Sequence, residues 1–180
     1  MKSLILGGVK SGKSLFAETC ASDSGKPVVL IATASALDSE MAARIQSHKK
    51  RRPVHWQTIE EPISLGATLC SLEGPSGNGD STQSCIIIDC LTLWLTNLLL
   101  LEDQVVFEAE KNYFIRALDK SSHQILIVSN ETNMGIVPMT ELSRRFCDEA
   151  GRLHQHLGKQ VDNVVLMVAG INHTIKGKIG

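Results

Sequence analysis

Short, continuous apolar runs recur along this chain, and amphipathic stretches separate them. Ser3-Leu4-Ile5-Leu6, Val28 to Thr33, Cys85-Ile86-Ile87-Ile88-Asp89, Gln124 to Ser129 and Val164 to Ala169 are uniformly apolar rather than alternating. That is the pattern of parallel strands covered on both faces. Helical periodicity follows each run: Ser14–Cys20, a stretch opened by Asp38-Ser39-Glu40 and stopped by Pro53, about Ile63 to Leu69, Leu91–Leu101, about Gln104 to Lys120, and Thr140 to about Leu157. In the second of these Met41, Ala42 and Ile45, with Ala43, form the apolar side, and Arg44, Gln46, His48 and Lys49 the polar side. A further strand is expected over Val54–Ile59, closed by Glu60-Glu61-Pro62, and an edge strand over Ile171–Ile179. Ser71–Ser84, with Gly74, Pro75, Gly77 and Gly79, and Thr132–Pro138 read as loops. Strand–helix alternation predicts an α/β fold with a doubly wound, mostly parallel sheet, in one domain over residues 1–180. Ligands of such sheets bind at the carboxyl ends of the strands. Thr33, Glu60, Asp89 and Glu131 all fall there.

The loop after the first run is Gly7-Gly8-Val9-Lys10-Ser11-Gly12-Lys13-Ser14. It fits G-x-x-x-x-G-K-[ST], the pattern of a nucleoside triphosphate cradle, and it has the required strand before it and helix after it. Its glycines let backbone N–H groups turn toward an anion. Lys13 supplies a point charge for the outer phosphates, and the Ser14 hydroxyl suits Mg²⁺. Asp89, ending an apolar strand, has the form of the second carboxylate that orients Mg²⁺; it is equally placed to cap the Leu91 helix. His48 precedes Lys49-Lys50-Arg51-Arg52. The run reads either as a solvated helix tail or as an anion site with an imidazole inside it. Nearby cations lower and a helix C-terminus raises such a histidine's pKa, and a neutral imidazole is a competent nucleophile toward phosphorus. His55, His123, His154, His156 and His173 form no metal-ligand spacing, and no Ser/His/Asp or Cys/His set is recognisable. Glu131 is a candidate base for phosphoryl transfer or a strand-end ion-pair partner.

Composition narrows the classes. Formal net charge is −1 and aromatics make up 4 % of 180 residues, which argues against a polynucleotide-binding surface. Five cysteines (Cys20, Cys70, Cys85, Cys90, Cys147) include no C-x-x-C pair and sit mostly in apolar runs, as buried thiols of a reducing compartment do. The longest apolar run, Leu91–Leu101, is interrupted by Thr92, Thr96 and Asn97 and is too short to span a bilayer. A cytoplasmic location is expected. That helix is apolar nearly all round, so it is either a core helix or one covered partly by another subunit.

Taken in order, Gly7–Ser14, Ile31-Ala32-Thr33-Ala34, Asp38–Ile45, His48-Lys49, Arg52-Pro53, Asp89-Cys90-Leu91-Thr92, Thr96–Leu99, Ser129-Asn130-Glu131, Met134–Pro138 and Arg145–Arg152 resemble the bifunctional adenosylcobinamide kinase/adenosylcobinamide-phosphate guanylyltransferases of cobalamin synthesis. The resemblance spans nearly the whole chain. It implies a RecA-like phosphate-loop fold, a homotrimer, a corrinoid small-molecule substrate, ATP or GTP as phosphoryl donor, and Mg²⁺. It implies two reactions: phosphorylation of the aminopropanol hydroxyl of adenosylcobinamide, then transfer of GMP from GTP through a guanylylated histidine, placed by the match at His48. The implied nucleotide contacts are Gly7, Gly8, Val9, Lys10, Ser11, Gly12, Lys13, Ser14, Ala32, Thr33, Ala34, Lys49, Lys50, Arg51, Arg52, Glu60 and Asp89, with Ser14 and Asp89 toward the metal and His48 and Lys13 catalytic. A single-activity phosphate-loop kinase is the alternative; a nucleotide switch or nucleic-acid binder is a third reading, disfavoured by charge and composition.

Overall fold

A computed structural model describes residues 1–35, 53–73 and 83–178. The expected helix from Asp38 to Arg52 lies outside the described residues, as does most of the 71–84 loop. The described strands are β1 (Lys2–Gly7), β2 (Val28–Ala32), β3 (Gln57–Glu60), β4 (Cys85–Asp89), β5 (Gln124–Asn130), β6 (Asn163–Val168) and β7 (Ile171–Lys176). The described helices are α1 (Lys13–Asp23), α2 (Leu65–Leu72), α3 (Leu91–Leu100), α4 (Gln104–Lys120) and α5 (Glu141–Gln160). One sheet runs β3-β2-β4-β5-β1-β6-β7, parallel except for the β6–β7 pair.

The uniformly apolar runs are explained by two cores, one on each face of this sheet. Successive residues of a strand point to opposite faces. Leu4 and Leu6 of β1, Val29 and Ile31 of β2, Ile86 and Ile88 of β4, and Ile125 and Ile127 of β5 join one core with α2, α3, α4 and α5. Ile5, Leu30, Ile87 and Leu126, from the same strands, join the other with Ala17 and Ala21 of α1 and with Trp56. Each fully buried aliphatic side chain contributes on the order of 1.5–3 kcal/mol. The central strands therefore have no polar face to expose.

α3 is chiefly a core helix. Leu91, Trp94, Leu95, Leu98 and Leu99 are buried by this chain, and Trp94 donates from Nε1 to Ile63 O at 2.6 Å. Leu100 and Leu101, at its C-terminal end, stay exposed. The residue at its N-cap position is Cys90, whose side chain makes no cap bond. α4 is capped by Asp103, which accepts from the N–H groups of Val105 and Val106, and α5 by Thr140, which accepts from Ser143 N–H.

Two boundaries differ from the pattern-based expectation. β3 begins at Gln57 rather than Val54, because Trp56 N–H closes a turn onto Pro53 O and the Trp56 ring is buried. β7 ends at Lys176 and pairs antiparallel with β6 through a two-residue turn, Ala169 (φ 51°) and Gly170 (φ 81°). Positive φ at both central residues matches the twist of a tight hairpin.

Candidate active site

The phosphate loop links the end of β1 to the start of α1 and is shaped by backbone requirements. Gly7 has φ 152°, and a Cβ there would stand 2.5 Å from Met167 O and 2.6 Å from Ser11 Oγ. Gly12, at the N-cap of α1, has φ 98°. Lys10 also takes positive φ, 56°, which curls the loop. Ser11 N–H closes onto Gly8 O, and Ser11 O accepts from Gly170 N–H at 3.0 Å. The β6–β7 turn thus buttresses the loop from behind, a support that the sequence pattern does not announce. Val9 is 72 % exposed, while Ser11 and Lys13 are buried. Ser11 Oγ has no hydrogen-bond partner. A buried hydroxyl without a partner, in a loop that leads into a helix N-terminus, fits a loop whose bonding is completed by a bound anion.

Lys13 Nζ donates to Gly8 O at 2.6 Å. Burial pushes its pKa down, and the neighbouring Cys90 and Asp89 push it back up by less. Asp89 therefore lies within electrostatic reach of Lys13. Ser14, half-buried in the first turn of α1, completes the loop. The hydroxyl of Ser14 and the carboxylate of Asp89 are hard oxygen donors, the type that Mg²⁺ takes. Mg²⁺ needs little more from protein, because phosphates and waters fill its remaining positions. Among the described residues no group of three or more His, Cys, Asp or Glu could hold a metal by itself.

The other strand ends assemble beside the loop. Ala32 is in register with Asp89 on one side and Glu60 on the other. Ala34 is half-buried just beyond. Thr33 is fully buried and internally committed. Its hydroxyl donates to Cys90 O at 2.7 Å and accepts from Cys90 N–H at 2.8 Å. Its N–H donates to Asp89 O, and its carbonyl accepts from Asn97 Nδ2 at 2.8 Å. Thr33 therefore ties the ends of β2 and β4 together, and its hydroxyl is already engaged where a nucleotide contact was expected. Asn97 also donates to Pro62 O, joining α3 to the same edge. The Asp89–Cys90 peptide is cis.

β5 lies between β1 and β4, so its end stands between the phosphate loop and Asp89. Asn130 is in register with Gly7. Its N–H donates to Thr92 Oγ1 at 2.8 Å, and Glu131 N–H donates to Gly7 O at 3.0 Å. Glu131 is half-buried, and its Oε1 accepts from Asn133 N–H at 2.7 Å. Thr132 then opens an apolar groove of about 390 Å³ between α3 and α5, whose walls include Leu99, Leu100, Pro138, Leu142 and Phe146. The adjoining segment exposes Met134, Ile136, Val137 and Met139.

The structure thus brings Gly7–Ser14, Ala32, Glu60, Asp89 and Glu131 to one edge. His48, Lys49, Lys50, Arg51 and Arg52 lie outside the described residues. Among the remaining histidines, His123 is buried between Ser84 N–H and Leu72 O, and His55, His156 and His173 are exposed. Thr92, Asn97, Asn133 and the Ser129–His154 pair have positions at this edge that spacing alone could not show.

Comparison with known proteins places this geometry. The sequence model described as cobinamide kinase / cobinamide phosphate guanyltransferase matches residues 3–175. The chain is 48 % identical over 178 residues to the bifunctional adenosylcobalamin biosynthesis protein CobP of Pseudomonas aeruginosa, covering 99 % of each chain. It is 36 % identical to the bifunctional adenosylcobalamin biosynthesis protein CobU of Escherichia coli K12 and 38 % identical to that of Salmonella typhimurium LT2, in both cases covering 98 % of this chain and all of the relative. Among solved structures, the RadB recombinase superposes with a TM-score of 0.52 at 17 % identity, over 92 % of this chain and 73 % of that one. A Pyrococcus horikoshii OT3 protein does so with a TM-score of 0.54 at 9 % identity, over 99 % and 87 %. These two show the fold alone, a RecA-like phosphate-loop sheet. By the extent of its sequence match, the chain belongs to the cobinamide kinase / cobinamide phosphate guanyltransferase family.

Proposed function

We propose that this chain phosphorylates the aminopropanol hydroxyl of adenosylcobinamide with ATP or GTP, and then guanylylates the new phosphate ester through His48. The observation that carries the reading is the phosphate loop with its unpartnered Ser11 hydroxyl, its buried Lys13 and Asp89 at its mouth, within a chain that matches this family from end to end.

In the first reaction the acceptor oxygen attacks the γ-phosphorus. Its bond to the β-bridging oxygen breaks, the nucleoside diphosphate leaves, and the hydroxyl proton passes to a base. Loop amides and Lys13 hold the β- and γ-phosphates in line and offset the charge that spreads over the transferring group. Glu131 is the base this reading favours, since its backbone is bonded to Gly7 and its carboxylate is held by Asn133 N–H. Ser14 and Asp89 would hold Mg²⁺, which when bound shields phosphate charge. In the second reaction a ring nitrogen of His48 attacks the α-phosphorus of GTP, and pyrophosphate leaves. A non-bridging phosphate oxygen of adenosylcobinamide phosphate then attacks the same phosphorus, the P–N bond breaks, and His48 is regenerated. Covalent catalysis of this kind divides one difficult transfer into two. Lys49, Lys50, Arg51 and Arg52 are assigned to the triphosphate and the departing pyrophosphate. Ala32, Ala34 and Glu60 border the nucleotide. The apolar groove that opens at Thr132 offers a surface for part of the corrinoid acceptor. Assembly as a homotrimer and a cytoplasmic location belong to the same reading. No described helix is long and apolar enough to cross a membrane.

The test is incubation with GTP labelled at the α- or the γ-phosphate, followed by denaturation. The reading predicts acid-labile α-label on the wild type and none on His48→Ala. γ-Transfer to cobinamide with no α-label on protein would instead leave a single-activity kinase.

A further inference from the structure

Besides Glu149, which is held in ion pairs with Lys111 and Arg152, the buried face of α5 holds a polar side chain whose purpose the reactions above do not explain. Ala150, Leu153 and Leu157 make its inward face apolar, and His154 is buried among them. Its Nε2 stands 2.8 Å from Ser129 Oγ, with Ser129 itself 1 % exposed. Ser129 is in register with Leu6, one residue before the phosphate loop, and the next two residues of the chain, Asn130 at the end of β5 and Glu131 just beyond it, are bonded to Thr92 and to Gly7. Glu131 is close enough for its charge to act on the imidazole. A leucine would fill the same volume on α5 without the desolvation cost of an imidazole. What the imidazole adds is a directed hydrogen bond to the strand end that separates Asp89 from the loop.

We propose that His154 is a positioning residue for phosphoryl transfer: through Ser129 it fixes the end of β5, and with it Asn130 and Glu131, between the phosphate loop and Asp89. The bond anchors the inner side of the strand end. Thr92 holds its backbone toward α3, and Gly7 O holds Glu131 N–H toward β1. α5 grips the same turn again further out, where Asn133 Nδ2 donates to Cys147 O at 3.1 Å. Release of the inner anchor frees Glu131 to shift relative to the acceptor hydroxyl while the nucleotide cradle itself stays formed. Small misplacements of this kind lower the rate of the chemical step more than they lower substrate binding.

The inference rests on the kinase reading, and the experiment separates the two. Phosphorylation of adenosylcobinamide by ATP is measured for the wild type, His154→Leu, His154→Gln, Ser129→Ala and the His154→Leu/Ser129→Ala double variant. Thermal unfolding is followed alongside. His154→Leu is expected to lower kcat about tenfold with KM for ATP within about twofold of wild type. His154→Gln, whose amide can reach Ser129 Oγ, recovers most of that loss. Ser129→Ala, the milder change to the fold, reproduces the kcat loss, and the double variant is no slower than either single one. Wild-type kcat in His154→Leu and Ser129→Ala overturns the inference and leaves the kinase reading intact, as do additive losses in the double variant or equal losses in the Leu and Gln variants. No phosphoryl transfer by the wild type overturns both.

Discussion

Gly7 and Gly8 are adjacent glycines of one motif, and the structure sets opposite expectations for them. At Gly7 the backbone takes φ 152°, and a Cβ would fall 2.5 Å from the carbonyl oxygen of Met167 on β6 and 2.6 Å from Ser11 Oγ. A non-glycine residue in such a region costs about 1–3 kcal/mol. Relief of the contact with a sheet backbone atom costs a further 1–3 kcal/mol or so, as overpacking does. Gly7→Ala is therefore expected to destabilise the fold by about 4 kcal/mol. At about 2–4 °C per kcal/mol for a domain of this size, that lowers Tm by about 8–16 °C. At Gly8 nothing lies within 4 Å of a Cβ, so Gly8→Ala is expected to leave Tm within about 2 °C of wild type. The assay is thermal unfolding by circular dichroism for both variants without nucleotide. A Gly7→Ala protein as stable as wild type, or a Gly8→Ala protein that loses as much, would refute the backbone argument for the loop.

Two further outcomes follow from buried charges. Lys13→Met removes a cation that burial disfavours, so the fold keeps its Tm or gains slightly, while both transfers fall by about 10²-fold or more; paired unfolding and activity measurements check this. Lys111 bridges Glu149 (2.8 Å) and Glu108 (3.0 Å) at the α4–α5 contact, and Arg152 holds the other oxygen of Glu149 at 2.7 Å. Loss of one partner of a buried pair costs about 3–5 kcal/mol. Because Arg152 remains, Lys111→Met is expected to cost about 2 kcal/mol near pH 7, read by urea denaturation. Burial pushes the Glu149 carboxyl up, but Lys111 and then Arg152 outweigh it and hold its pKa below the usual 4.5. This stabilisation is complete above the unfolded carboxylate value and is lost as pH falls through the folded one, so the gap between Lys111→Met and wild type narrows in acid.

The parts of the fold that were readable in the sequence are those set by local pattern. The phosphate loop has its strand and helix in fixed order, and four central strands are apolar on both faces, so Gly7–Ser14 and β1, β2, β4 and β5 stand out in the chain itself. Where a tertiary contact overrides the pattern, the reading slips. Trp56 turns into the core and delays β3 to Gln57; for α3 the pattern left a core helix and a subunit-covered one open, and burial by its own chain is seen for five of its residues. The site divides along the same line. Asp89 is visible as a carboxylate that ends an apolar strand. The engagement of Thr33 with Cys90 and Asn97, and that of Ser129 with His154, join residues 57, 64 and 25 positions apart. No periodicity encodes such pairs. The buttress from the β6–β7 turn is equally non-local: nothing in the sequence of Ala169 and Gly170 says that Gly170 N–H reaches Ser11 O.

The most direct test of the account is the product formed when the enzyme is given adenosylcobinamide, GTP and Mg²⁺, resolved by mass. The wild type is expected to proceed through adenosylcobinamide phosphate to adenosylcobinamide-GDP, and His48→Ala to stop at the phosphate ester with its rate of formation intact. A His48→Ala enzyme that still makes the GDP ester, or a wild type that ends at the phosphate, would contradict the claim that one phosphate loop and one histidine serve both transfers.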